Sequence, residues 1–272
     1  MTTSALIGAR TAPDLHVMTF NIRRRMVGLS KPAPDGWSHR RPAIRRLLAT
    51  EQPALLGVQE ALFEQATFVA ESLGPQYRRI GRGRNADRRG EGCPMFYDSS
   101  RLKLVDWRQH ALSDTPDAPG SRSWGNFTPR IVVSASFSDR ITGVQFRAFN
   151  THFDQFSRKA RIRSAAFVNE LVDASPLPAI VTGDFNTSVG TEPYTVITSD
   201  RLQDAWVSAE KRLTDAWGTF PNYRAPQLDR KRIDWILASK TVLVTEAATN
   251  PTKYGGVAAS DHLPVQAVVR FR

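Results

Sequence analysis

Apolar, β-branched runs in this chain repeatedly stop on a carboxylate, an amide or an imidazole, and few architectures accommodate that pattern. LHVMTFNI (Leu15–Ile22) closes around Asn21, and PALLGVQE (Pro53–Glu60) ends on Glu60. The run QFRAFNTHFD carries His152 and Asp154 at its end, and AIVTGDFN carries Asp184 and Asn186. Asp234 interrupts RIDWILAS, and the pair Asp261–His262 stands just before the last apolar run, Val265–Phe271. Residues i and i+2 of a strand share a face, so Asp184 and Asn186 point one way while Phe185 points into the opposite layer. A strand end holds a side chain more rigidly than a loop and leaves it open to solvent, which suits a reactive constellation.

Between these runs the period changes to that of helices. Trp37–Glu51 places Ile44, Leu47 and Leu48 on one face, as an amphipathic helix does. Ala61–Leu73 reads as a second helix closed by Gly74 and Pro75. A third opens at SRKARIRSAAFVNELV with Ser157 as its N-cap. Further strands are expected at Pro94–Tyr97, Ile131–Phe137, Gln145–Phe153, Ala179–Phe185, Ile233–Ala238 and Val242–Ala247. Gly81–Gly92 (GRGRNADRRGEG) is a basic, glycine-rich loop, and Asp114–Arg130 a long Pro/Gly/Ser-rich one of the kind that often carries function. Many strands with few helices between them imply an α/β (α+β) fold: two packed, mainly antiparallel sheets flanked by helices. Residues 1–13 read as a flexible lead-in, and 14–272 as one catalytic domain.

The 272 residues, 41% of them hydrophobic, suffice for one large core. No apolar stretch approaches a membrane span, and the first residues lack a signal-peptide pattern. The single cysteine, Cys93, excludes an internal disulfide framework and fits a reducing cytoplasm. A net charge of +11 favours anionic partners: nucleic acid or small phosphorylated compounds. No membrane association or obligate protein partner is indicated, and a monomer is expected.

Taken singly, each polar motif has an ordinary structural explanation: GDFN could be a β-turn, Asp234 a satisfied buried carboxylate. Together, carboxylates, amides and two histidines are what divalent-metal phosphoester hydrolysis requires. TFNI, GVQE, NTHFD, TGDFN, RIDWIL and SDHLPV also occur in the order seen in the endonuclease/exonuclease/phosphatase superfamily, whose fold is similar to that of deoxyribonuclease I. From about Leu15 to Arg272 the chain resembles a compact bacterial branch of that superfamily. The resemblance implies a four-layered α/β sandwich with the site where the sheets meet at one end. It also implies Mg²⁺ (or Mn²⁺), with Glu60 as main ligand and Asn21 and Asp261 nearby. Asp184 would orient or deprotonate the attacking water, and Asn186 would hold that water or the phosphate. His262, oriented by Asp234, would contact the scissile phosphate, and His152 would be a second phosphate-binding or acid histidine. The alternative is a non-catalytic anion or nucleic-acid binding module that keeps the fold.

Arg23 departs from members related to exonuclease III, which often carry an acid there; a cation would repel a second metal and attract substrate charge. Arg158 and Arg161 sit in the first turn of the third helix, where cations oppose the helix dipole. With Arg23 they are the candidate phosphate-binding residues. Trp124 could stack on a base or pack.

Overall fold

A computed structural model describes residues 4–26 and 34–271. One sheet has seven strands: β1 (Leu15–Asn21), β2 (Leu55–Gln59), β3 (Tyr77–Ile80), β4 (Met95–Asp98), β10 (Lys211–Arg212), β12 (Val242–Thr249) and β13 (Val265–Phe271), in the order β10-β12-β13-β1-β2-β4-β3. The other has six: β5 (Leu102–Ala111), β6 (Ile131–Asp139), β7 (Gln145–His152), β8 (Ala179–Asp184), β9 (Leu202–Asp204) and β11 (Asp234–Ser239), in the order β5-β6-β7-β8-β11-β9. Most neighbours are antiparallel; β1 with β2, β7 with β8 and β10 with β12 are parallel.

Strand alternation divides the side chains among the layers. Val17, Leu55, Phe137, Phe146, Ile180 and Ile236 fill the space between the sheets. Their neighbours Met18, Phe20, Leu56 and Val58 turn outward under α1 (Trp37–Glu51) and α2 (Phe63–Leu73). On the far side Phe149, Val181, Phe185 and Trp235 lie under α3 (Arg158–Asp173) and α4 (Glu192–Ile197). Phe185 stacks on Trp235 with ring centroids 4.5 Å apart, so it faces the layer expected for it. The result is the four-layered α/β sandwich, helix–sheet–sheet–helix. No helix among the described residues is long and apolar enough to cross a membrane.

Near one end the intersheet layer turns polar. Asn150 of β7 donates to Val58 O (2.8 Å) and accepts from Gln59 Nε2 (2.7 Å), tying the two sheets together. Gly57 makes this possible, since a Cβ there would lie 2.2 Å from Thr182 Oγ1 and 2.6 Å from Asn150 Oδ1. At the opposite end, residues 4–13, expected to be a loose lead-in, are held against the body. Backbone N–H groups of Leu6, Ile7 and Gly8 donate to the Glu51 carboxylate at 2.8, 3.1 and 3.1 Å, and Ile7 packs with Ala248 and Val268. Residues 1–3 lie outside the described residues.

Candidate active site

Register places the site. His152 ends β7, Asp184 ends β8 and Asp234 begins β11, and the ladders pair His152 with Asp184 and Asp184 with Asp234. Directly paired residues share a face, so three strands present one row of side chains with Asp184 at its centre. His262, reaching in before β13, places Nδ1 2.9 Å from Asp234 Oδ2 and Nε2 3.8 Å from Asp184 Oδ2. Burial alone would hold its imidazole down; the Asp234 and Asp184 charges prevail and push it up to about 10. His262 is therefore an imidazolium at neutral pH. Asp184 shifts the other way: burial, then the Asp234 charge, raise its carboxyl well above the usual range.

Asn21, from the other sheet, crosses to this row. Its Nδ2 donates to Asp184 Oδ2 at 2.9 Å and to Glu60 Oε1 at 3.1 Å. The second Glu60 oxygen accepts from Arg24 N at 3.0 Å. Despite its burial, Glu60 is held below its ordinary range by these two donors, by His262 and by Arg23. Asp261 is raised by burial and by the Glu60 charge. Arg23 Nε stands 3.6 Å from Asp261 and 3.2 Å from Asp35. The sequence suggests Arg23 as a phosphate ligand; in the structure its charge faces these two carboxylates. Arg23, Glu60 and Asn186 all have left-handed backbones, with φ of 54°, 62° and 50°. For Arg and Glu that conformation costs about 1 kcal/mol each, and here it turns the chain just as strands β1 and β2 end at the site.

His152 differs from His262. Asn186 Nδ2 donates to Phe153 O at 3.0 Å, which fixes its amide orientation, and the same nitrogen lies 2.9 Å from His152 Nε2. The His152 nitrogen is thus an acceptor. Burial, Arg130 and Arg84 hold the ring well below its ordinary pKa. A neutral, accepting His152 does not suit the acid role the resemblance allowed for it. Of its two cationic neighbours, Arg84 and Arg130, the sequence singles out the first, within the basic glycine-rich loop, but not the second. Arg84 comes from the glycine-rich loop and pairs with Glu91 at 2.9 Å. Arg130 ends the long loop; its Nε is 3.5 Å from Asp154 and its buried Nη1 has no partner among the described residues. Both line a small cleft with Glu60, Gly92 and His152. A basic residue closing a Pro/Gly-rich loop before a strand was the available signal.

Arg158 and Arg161 are engaged elsewhere. Arg158 is an exposed partner of Glu192. Arg161 Nη1 donates to Asp154 O at 2.9 Å and so braces the loop after His152. Trp124 is buried, donating from Nε1 to Asp114 at 2.7 Å, and packs.

Glu60 and Asp261 are carboxylates that oppose each other's ionisation, and with the amide oxygen of Asn21 they offer hard oxygen donors that fit a divalent cation. Asn21 Oδ1 already accepts from Arg23 N at 3.0 Å, leaving one lone pair for an ion. A second group, Asp184, Asp234 and His262, has ligand atoms within 4.8 Å of one another, but the imidazolium of His262 already supplies its positive charge.

Comparison with known proteins agrees with this geometry. The chain superposes on a mannosyl-6-phosphatase of Bacteroides thetaiotaomicron with a TM-score of 0.88 and 31% identity, covering 94% of this chain and 100% of that one. An endonuclease/exonuclease/phosphatase family protein of the same organism gives a TM-score of 0.88 and 31% identity over 95% of both chains. Uncharacterized protein L388 of Acanthamoeba polyphaga mimivirus is 30% identical over 165 residues, 56% of this chain and 59% of that protein. This chain thus matches little more than half the length of that relative. Residues 18–262, which contain every side chain of the row and of the Glu60 group, match the model of the endonuclease/exonuclease/phosphatase family, and the chain belongs to that family.

Proposed function

We propose that the protein is a divalent-metal-dependent phosphoester hydrolase in which a water activated by Asp184 attacks phosphorus. The observation that carries this reading is the in-register row His152–Asp184–Asp234, faced by a cationic His262 and by the Glu60 group. A buried carboxylate with a raised pKa is a stronger base than a free one. Asp184, ionised, takes the proton of the water whose oxygen forms the new P–O bond. The bond to the leaving oxygen breaks with its electron pair, and that oxygen is protonated from solvent. The His262 imidazolium, fixed by Asp234, places positive charge where negative charge grows on the phosphoryl oxygens. The buried Nη1 of Arg130, without a partner among the described residues, supplies a second donor on the His152 side. Glu60 and Asp261, with Asn21, would hold Mg²⁺ or Mn²⁺, which when bound supplies Lewis-acid charge to the phosphoryl group.

The relative named a mannosyl-6-phosphatase favours small phosphorylated substrates over polymers for this chain as well. A hydrolysis panel with Mg²⁺ or Mn²⁺ should span sugar phosphates, aryl phosphodiesters, nucleotides, RNA and plasmid DNA. Asp184→Asn is the sharpest variant: it removes one charge at nearly constant volume, so substrate affinity by calorimetry should hold or improve. Single-turnover rate should fall by roughly a hundredfold or more, as for loss of a general base. Normal turnover in this variant would remove Asp184 from the chemistry. Substrate binding without turnover in the wild type would favour an anion-binding module.

A further inference from the structure

Beside the catalytic cleft lies a second, larger hollow of about 590 Å³. Its floor is apolar, built from Ala61, Leu62, Ala66 and Pro94, and Phe63 stands at its rim with 75% of its surface exposed. Gly92 lines both the hollow and the cleft that holds Glu60, Arg130 and His152. The two spaces are therefore neighbours, and the shared Gly92 is held by its N–H, which donates to Ala61 O at 2.8 Å.

Four guanidiniums, those of Arg79, Arg82, Arg88 and Arg89, surround this floor. Among the described residues none of them has a carboxylate within ion-pair distance. Arg79 lies 5.0 Å from the Phe63 ring centroid and Arg82 5.7 Å from that of Trp107. The one acid on the wall, Glu64, is already bound by Arg25 at 2.8 Å. Neighbouring cations without counter-charges repel one another, so an anion placed among them is stabilised.

The hollow is preformed. The loop curls so tightly that a Cβ on Gly83 would lie 2.2 Å from Arg89 O. Gly83 N donates to Arg88 O at 2.9 Å, Arg84 N to Glu91 O at 2.9 Å and Arg88 N to Asn85 O at 2.9 Å. Little loop ordering remains to be done on binding, which favours affinity.

Its position fixes its role. Asp184 belongs to the six-stranded sheet, whereas Ala61 and Gly92 flank Glu60 on the seven-stranded side of the cleft. In an in-line displacement the leaving group departs opposite the attacking water. We propose that this hollow is the leaving-group subsite, and that it takes a planar aromatic group bearing a phosphate of its own, as in a nucleoside bisphosphate. The ring lies on the apolar floor beside Phe63 and the additional phosphate among Arg82, Arg88 and Arg89. This deepens the hydrolase reading and rests on it.

Adenosine 3′,5′-bisphosphate, adenosine 5′-monophosphate and p-nitrophenyl phosphate are the probes, and Arg88→Asn/Arg89→Gln is the main variant. Asn tolerates the left-handed backbone of Arg88 (φ 65°), and Arg89 is exposed, so the fold is retained. By metal-free calorimetry the wild type should bind the bisphosphate about tenfold more tightly than the monophosphate, the equivalent of one good charge contact. The double variant should erase that preference, and Phe63→Ala should weaken both nucleotides. In turnover, the kcat/KM ratio of bisphosphate to aryl phosphate should fall about tenfold in the double variant. Equal bisphosphate affinity in wild type and both variants, with the aryl phosphate still hydrolysed, overturns the subsite and leaves the hydrolase standing. Bisphosphate binding that depends on these residues, with no hydrolysis of any probe, overturns the hydrolase instead.

Discussion

Asp234 and His262 touch through a buried 2.9 Å contact, and neither does its work without the other. Removing the Asp234 charge takes away the largest influence holding His262 protonated, so Asp234→Asn should lower the imidazole pKa from about 10. Asp234→Asn and His262→Ala should each cost nearly as much activity as the double variant, as groups acting as a unit do. Independent, multiplicative losses would make Asp234 merely structural. Arg130 makes a different case. Its Nη1 is buried beside His152 with no partner among the described residues, so Arg130→Lys keeps the charge and loses the donor fork. Activity should fall roughly tenfold or more, the worth of a charged hydrogen bond. In Arg130→Met the His152 ring, freed of a neighbouring cation, should titrate at higher pH by NMR. An unshifted His152 would place Arg130 outside the site's field.

Among the elements, α3 revises the expectation attached to its basic first turn. Arg161 spans back to Asp154 O, and Asp154 accepts from Phe156 N and Ser157 N at 2.9 and 2.7 Å. Arg161→Ala breaks a partly buried charged hydrogen bond and should cost about 1–3 kcal/mol, seen as a Tm lower by several degrees. Arg158→Ala, at an exposed pair, should leave Tm within about a degree. A raised KM with unchanged Tm for Arg161→Ala would restore the anion-clamp reading. The major strands and helices were legible because both faces of each sheet are covered, making the strands near-continuous apolar runs. Trp37–Glu51 is the helix its apolar stripe predicts. β5 was not legible: it is a largely exposed edge strand, and a bulge between Leu104 and Asp106 breaks its alternation. α2 begins at Phe63 rather than Ala61, because the left-handed Glu60 and the Ala61–Gly92 bridge occupy the preceding residues. The row around Asp184 could be anticipated from strand ends, whereas Arg84 was visible only as one of several loop cations and Arg130 only as a basic residue closing a loop. Which loop cation reaches a site depends on loop closure, and periodicity carries no information about that.

Over the whole molecule, β1 connects the catalytic end, at Asn21, to a second polar centre at its other end. There Glu51 closes α1, where a carboxylate opposes the helix dipole, yet three N–H groups of residues 6–8 and Asn250 Nδ2 satisfy it. These donors hold Glu51 below its ordinary range despite burial. His16, fully buried, faces Gly8 O from Nδ1 at 2.9 Å, so Nδ1 carries the proton of a neutral ring, and the buried Nε2 has no partner among the described residues. Burial holds its pKa below the ordinary value of 6.5, against the Glu51 charge. The unfolded chain therefore binds a proton near pH 6.5 that the folded chain refuses until lower pH. Stability contributed by the neutral ring is complete above 6.5 and is lost as pH falls through the interval below it. Glu51 adds a further loss only below its ordinary 4.5. Tm should consequently fall by several degrees between pH 7 and 5 in the wild type. His16→Asn, whose amide can still donate to Gly8 O, removes that share of the titration and leaves only the like-signed share of the buried, neutral His152, so its Tm should fall distinctly less than the wild type's over the same range. Parallel Tm curves for the two proteins would show that His16 is not the group that registers acid. Because this centre lies at the far end of β1, turnover of His16→Asn at pH 7.5 should match the wild type within about twofold, as expected for separated sites.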